Sequence, residues 1–129
     1  MNRTKRAMPL AKRAFTILVL LLLLTLIADC GHRARVDDLR GFAHRAARAG
    51  LWREALHRWE QALALAPGEP ALLNNLAVAH EALGDYARAR ELYESAAALD
   101  PQEDDYRDNL LAFRKAHPEL YPPEEGDED

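Results

Sequence analysis

The sequence predicts an all-α fold. It reads as a short solenoid of two helix-turn-helix repeats plus a C-terminal capping helix, preceded by an apolar helix. Three observations predict it. First, residues 36–103 read as one 34-residue unit written twice, and self-similarity at a fixed period of that size marks a stacked repeat. Leu39 falls on Leu73, Phe42 on Leu76, Ala43 on Ala77, Gly50 on Gly84 and Trp52 on Tyr86. Ala55 falls on Ala89, Trp59 on Tyr93, Ala62 on Ala96, Leu65 on Leu99 and Pro67 on Pro101. Second, the apolar residues inside each unit recur at three and four, as one buried helix face requires. Third, glycine and proline punctuate both units at matching places. Gly50 and Gly84 close a first helix, where a residue without a Cβ turns left-handed at least cost. Pro67 and Pro101 come after a second helix and cannot continue it.

The chain has 129 residues, which suits one domain. Its charge is uneven: residues 1–29 hold five basic side chains and one acid, whereas residues 30–129 hold 12 basic and 20 acidic. A basic segment, residues 1–13, precedes a run of 15 mostly apolar residues, 14–28. A spanning helix needs about 20 such residues and a signal-peptide core about 7–15, so the length fits a signal peptide better. The positive end should stay in the cytoplasm, and the chain beyond the apolar run should cross the membrane. The single cysteine, Cys30, stands two residues past the run in the sequence Ile27-Ala28-Asp29-Cys30. This box resembles a bacterial lipoprotein signal, in which the cysteine is acylated and becomes the mature N-terminus. The resemblance implies that Cys30 is the lipid attachment site, with Gly31 after it favouring the outer membrane. Asp29 departs from the pattern, which has Gly, Ala or Ser there. The alternative is an uncleaved single-pass anchor in the inner membrane. Both place the repeats outside the cytoplasm and tethered to a membrane.

Residues 30–35 read as a basic linker, and residues 36–69 as the first repeat. Asp37 or Asp38 is placed to cap its first helix. Ala43, Ala55 and Ala62 let helix axes approach, while Trp59 fills the space beside them and Trp52 packs near the turn. Residues 70–103 form the second repeat, with Ala77, Ala89 and Ala96 as its small positions and Tyr86 and Tyr93 as its aromatics. His80 reads as a half-buried packing residue. Residues 104–117 read as a capping helix, a partial third repeat: Leu110 and Asn109 fall 34 residues after Leu76 and Asn75, but Arg107, Leu111 and Arg114 depart from the register. A helix with one wet face suits the end of an array. Pro118 ends it, and residues 118–129, with six acids and three prolines, read as a disordered acidic tail.

The spacing of Leu, small residue, Gly, aromatic, Ala and Pro in both units resembles the tetratricopeptide repeat (TPR). The resemblance implies a concave face lined by the first helix of each unit, and hence a partner-binding groove of Arg40, His44, Arg48, Asn74, Asn75, Val78 and Glu81. Asparagine offers both donor and acceptor to a peptide backbone, and Arg40 can hold a carboxylate by two prongs. Some TPR domains clamp a C-terminal carboxylate with basic and Asn side chains. Here Arg40 and Asn75 match, but His44 replaces an Asn, and Asp105 and Asn109 stand where basic residues are expected, so a full clamp is not expected.

No catalytic constellation is present. Histidines 32, 44, 57, 80 and 117 show no paired metal spacing, no phosphate-cradling Gly-rich loop exists, and no cofactor is implied. The acidic chain after residue 29 argues against nucleic acid. The expected function is a non-enzymatic, membrane-tethered adaptor of the bacterial envelope that binds another protein or peptide. TPR lipoproteins typically support envelope assembly machines, which is what the resemblance implies here. Because such arrays usually want about three repeats, a structural self-associating module, a homo-oligomer, is the other expectation.

Overall fold

Among the described residues the chain forms five α-helices and a short 3₁₀ turn: α1 (Leu10–Arg48), α2 (Trp52–Leu65), α3 (Pro70–Ala82), α4 (Tyr86–Leu99), α5 (Asp104–Ala116) and the turn Pro118–Leu120. The structure is a computed structural model and describes residues 10–122, with the backbone alone at residues 10, 11, 13 and 25–30. No strand occurs among the described residues. The chain divides into two compact units between Arg35 and Val36.

In the first unit the described residues belong to the N-terminal part of α1. Phe15, Ile17 and the aliphatic side chains from Leu18 to Leu24 are exposed. Thr16, a polar residue within the apolar run, donates its hydroxyl to the Lys12 carbonyl at 2.8 Å and so stays satisfied inside the helix. No helix among the described residues is long and apolar enough to cross a membrane. The backbone is helical at Asp29 and Cys30 and through residues 30–35, so the expected linker is helical. The expected helix start at Asp37 or Asp38 is therefore a correction. Both aspartates lie inside α1, where the amides they would cap already have helical partners.

The second unit is the repeat array. Its two hairpins turn by the same motif. The amide of Leu51 reaches back to the Ala46 carbonyl at 2.9 Å and that of Gly50 to Ala47 at 2.9 Å. In the second repeat Asp85 reaches His80 at 2.9 Å and Gly84 reaches Glu81 at 3.0 Å. This is the paired 6→1 and 5→2 closure that needs a left-handed residue, and Gly50 and Gly84 have φ of 75° and 82°. Asp85 then caps α4 through the Arg88 amide at 3.3 Å. Leu51, its counterpart, makes no side-chain cap, and α2 relies on Glu54 in its first turn. Pro70, at the first position of α3, starts that helix with its φ already set.

The six repeat alanines, 43, 55, 62, 77, 89 and 96, are fully buried, and Trp59 and Tyr93 lie almost completely inside beside them. α3 is the central helix, packed against both α2 and α4. Phe42 departs from its register mate. Leu76 is 3 % exposed, with α2 on α3, whereas Phe42 is 41 % exposed. Its ring instead lies under the Arg58 guanidinium, 4.8 Å from the centroid, with Arg45 at 5.9 Å.

α5 covers Asp104–Ala116 of the range 104–117 read as a capping helix, with His117 as its C-cap, and most of its surface is exposed. Phe113 is its one buried residue, stacked on Tyr93 at 5.2 Å between ring centroids. Acids at its start and Arg114 and Lys115 in its last turn complement the helix dipole. The tail needs a correction at residues 118–122. Leu120 and Tyr121 pack against the core, the Leu120 carbonyl accepts from Arg90 at 2.7 Å, and the Tyr121 ring lies under Arg114 at 4.8 Å and Arg90 at 5.8 Å. Two apolar side chains and two arginines are enough to order this segment despite its prolines. The expected acidic tail at 123–129 lies outside the described residues.

Candidate functional site

Helical periodicity puts Arg40, His44 and Arg48, each four residues apart, on one face of α1. On α3, Asn75, Val78 and Glu81 recur at spacings of three and line up in the same way. The packing of α1, α2 and α3 brings part of this set together. A depression of about 320 Å³ is lined by His44, Ala47, Arg48, Trp52, Trp59, Asn75 and Val78. Ala47, Trp52, Trp59 and Val78 give it an apolar lining, to which Arg48 adds a guanidinium, Asn75 an amide and His44 an imidazole.

The His44 ring meets Trp59 edge to face, with centroids 5.4 Å apart and planes at 77°. Burial lowers the His44 pKa, and the Arg40 and Arg48 charges lower it further. His44 is therefore a neutral imidazole near pH 7, with one nitrogen able to accept. The Trp59 indole N–H is buried and has no hydrogen-bond partner among the described residues. The depression thus offers a neutral hydrogen-bonding ring, an amide and a positive charge around an apolar floor. Such a set suits an apolar side chain flanked by a backbone amide or a carboxylate.

Three of the residues expected in the groove are otherwise engaged. Arg40 bonds Glu69 through Nη1 at 2.5 Å, which uses the guanidinium that a carboxylate would need. Asn74 is buried, and its Oδ1 accepts from Asn109 Nδ2 at 3.0 Å, tying α3 to α5. Glu81 accepts from the Tyr93 hydroxyl at 2.7 Å and lies 4.0 Å from His117. Burial and that carboxylate together push the Tyr93 phenol well above its ordinary value. These three side chains serve the array itself. Conversely, Trp52, Trp59 and Ala47 line the depression, although the sequence marks the two tryptophans only as packing residues and does not single out Ala47. The signal that points to Ala47 is the α1 spacing, which sets it beside His44 and Arg48.

His80 is half-buried, as expected, and its Nδ1 lies 3.1 Å from Asp85 Oδ2. A second depression, of about 460 Å³, runs over the first turn along Gly50, Leu51, Trp52, Arg53, Glu54 and Leu83. It contains none of the expected groove residues. Among the described residues no group of His, Cys, Asp or Glu could hold a metal ion. The side chain of Cys30 lies outside the described residues.

A family model for the tetratricopeptide repeat matches residues 40–104, which is 65 of the 129 residues. Among solved structures, the chain is similar to the crystal structure of the Sgt2 TPR domain from Aspergillus fumigatus. The two share 28% identity and superpose with a TM-score of 0.61, over 65% of this chain and 56% of that one. The chain therefore spans little more than half the length of that structure. No curated protein matches the chain.

Proposed function

The chain belongs to the tetratricopeptide-repeat family, and from that premise we propose that it is a membrane-tethered adaptor of the bacterial envelope. In this reading it carries out no reaction and captures a segment of another protein in the depression between α1, α2 and α3. The observation that supports it is the gathering of His44, Arg48, Asn75 and Val78 around Trp52. The repeat supplies a rigid platform, and the mixed rim selects an extended segment that presents an apolar side chain next to an acceptor. The anchor is Cys30, acylated after removal of residues 1–29, with the repeats held on the far side of the cytoplasmic membrane. Two or more acyl chains on one cysteine make a stable attachment.

The experiment places a photo-crosslinking residue at Val78 in the full chain, in envelope membranes, with Arg107 as the control position. Capture from 78 and not from 107, lost when Arg48→Glu is combined with Asn75→Ala, supports the groove. Equal capture from both positions, or capture indifferent to the double substitution, removes it.

The uncleaved anchor is a second reading, favoured by α1 running unbroken through Asp29 and Cys30. Asp29 at the place of the usual small residue favours it too. Mass spectrometry of the N-terminus separates the two: a chain that begins at an acylated Cys30 supports the lipoprotein, and an intact Met1 supports the anchor.

A further inference from the structure

Trp52 lines two depressions. One is the groove at His44, Asn75 and Val78, of about 320 Å³. The other, of about 460 Å³, runs over the first hairpin turn along Leu51, Arg53 and Leu83. The two therefore adjoin at the indole ring, and a chain lying in the first meets the second without leaving Trp52.

The second depression contains a residue that breaks a local rule. Leu51 stands 34 residues before Asp85, at the same point of the repeat. Asp85 caps α4 by accepting from the Arg88 amide at 3.3 Å. Leu51 precedes α2, makes no side-chain cap and is 59 % exposed. Leucine is a poor residue at the start of a helix, and an exposed one gains nothing from burial in return. A departure of this kind at one of two equivalent places points to a use outside the fold. Here it adds an apolar side chain to the lining beside Trp52.

The charges around this surface select what covers it. Arg48, Arg53 and Glu54 are the charged side chains in the lining of the two depressions. Glu54 is spent on Arg58, which donates to it at 2.8 Å. Arg48 and Arg53 are exposed, with no ion pair to another described residue. The acids around the second turn, Glu81 and Asp85, line neither depression. Both accept within the array, Glu81 from the Tyr93 hydroxyl at 2.7 Å and Asp85 from the Arg88 amide. What remains for an incoming chain is apolar surface beside two cations.

We propose that the two depressions form one docking surface for an internal, extended segment of another protein, in which two apolar residues are flanked by aspartate or glutamate. Side chains two residues apart in an extended chain point the same way, about 7 Å from each other. Such a pair enters the two depressions across Trp52, and the flanking carboxylates meet Arg48 and Arg53. This rests on the groove reading above and adds to it a second subsite and the charge of the partner.

The test exposes the full chain, in a neutral detergent, to a degenerate octapeptide library with acetylated and amidated ends, and sequences the bound pool. Aspartate and glutamate are expected to be enriched next to leucine, isoleucine or phenylalanine. A pool without acidic enrichment overturns the proposal, as does enrichment that appears only when the peptide C-terminus is left free. An enriched peptide is then titrated by the fluorescence of Trp52 and Trp59, the only two tryptophans. Arg53→Glu is expected to weaken it at least about tenfold, and Leu51→Asp similarly. Leu51→Asp copies the cap of Asp85, so its urea midpoint should be no lower than the wild type's, and lost stability cannot account for lost binding. Undiminished binding in either variant, with loss in Arg48→Glu combined with Asn75→Ala, removes the second subsite and leaves the groove standing. Binding lost only through positions 51 and 53 removes the groove instead, and with it the single surface. Binding indifferent to all four positions removes both readings.

Discussion

Replacing Phe113 by alanine should release the C-terminal end of the array while leaving its centre intact. Phe113 is the one buried residue of α5, 1 % exposed, with its ring against Tyr93 and, at 4.7 Å, His117. Burying a phenylalanine removes roughly 150–250 Å² from water. At about 25 cal/mol per Å² this is worth roughly 4–6 kcal/mol. A denatured chain that is already partly collapsed trims the figure to about 3–5 kcal/mol, in line with measured Phe→Ala losses of similar size. In a stack each unit is held by its neighbours alone, so the loss falls on α5 and the turn Pro118–Leu120. Hydrogen exchange monitored by mass spectrometry reads this directly. A loss of about 3 kcal/mol corresponds to roughly a hundredfold faster opening. Amides from Asn109 to His117 should speed up by at least that factor, while those of α3, between α2 and α4, should change little. Unchanged α5 amides would refute the account of Phe113 as the bolt of the cap. Uniform acceleration through α1–α4 would refute the nearest-neighbour reasoning.

The geometry sets three other outcomes. Gly84→Ala should cost about 1–2 kcal/mol in urea unfolding, because a Cβ there meets no atom within 4 Å and only the left-handed backbone resists it; Gly84→Asn should recover most of that. Tyr93→Phe should cost about 1–2 kcal/mol through loss of the bond to the Glu81 carboxylate; the cost should shrink when measured in a Glu81→Gln background, and equal costs in the two backgrounds would contradict the pairing. The third concerns pH. His44 has its pKa lowered in the fold, so the unfolded chain binds the proton more readily. Its contribution is complete above its ordinary value of 6.5 and is lost as the pH falls below it. His44→Gln should therefore flatten the acid side of the stability profile, and superimposable urea midpoints for both chains across that range would show the shift to be unimportant.

The repeat was legible because its determinants are local and recur. A left-handed glycine after the first helix, alanines at the crossings and a proline after the second helix each answer a backbone or steric demand within a few residues. The bounds of α5 come from the same register. The errors fall where a residue's role depends on what is absent or distant. Asp37 and Asp38 look like caps only if a helix begins there, and nothing local reveals that α1 is already running. Leu120 and Tyr121 sit among acids and prolines, so composition alone assigns them to a tail. Their burial depends on Arg90 and Arg114, about thirty and seven residues away in sequence.

The neighbouring asparagines of α3 show why the groove was half legible. Register assigns both Asn74 and Asn75 to the first helix of a repeat, yet on a helix they point about 100° apart. That rotation turns Asn74 inward, where an unpaired amide would be costly. α5 supplies the remedy, because Asn109 donates to the Asn74 side chain. Asn75 instead faces Arg48 and His44 across the depression. Arg40 diverges from Arg48 for a similar reason: Glu69 stands just ahead of α3 and takes its guanidinium, whereas none of the described residues engages Arg48 in that way. In the proposed reading the guanidinium open to a partner is therefore that of Arg48 and not that of Arg40, two helical turns nearer the hairpin turn and beside Trp52 in the lining. The carboxylate-clamp pattern matches at Arg40, but Asp105 and Asn109 stand on α5 where it expects basic residues. Neutralising Arg40 within the fold moves the usable charge to the end of the groove where the apolar wall is.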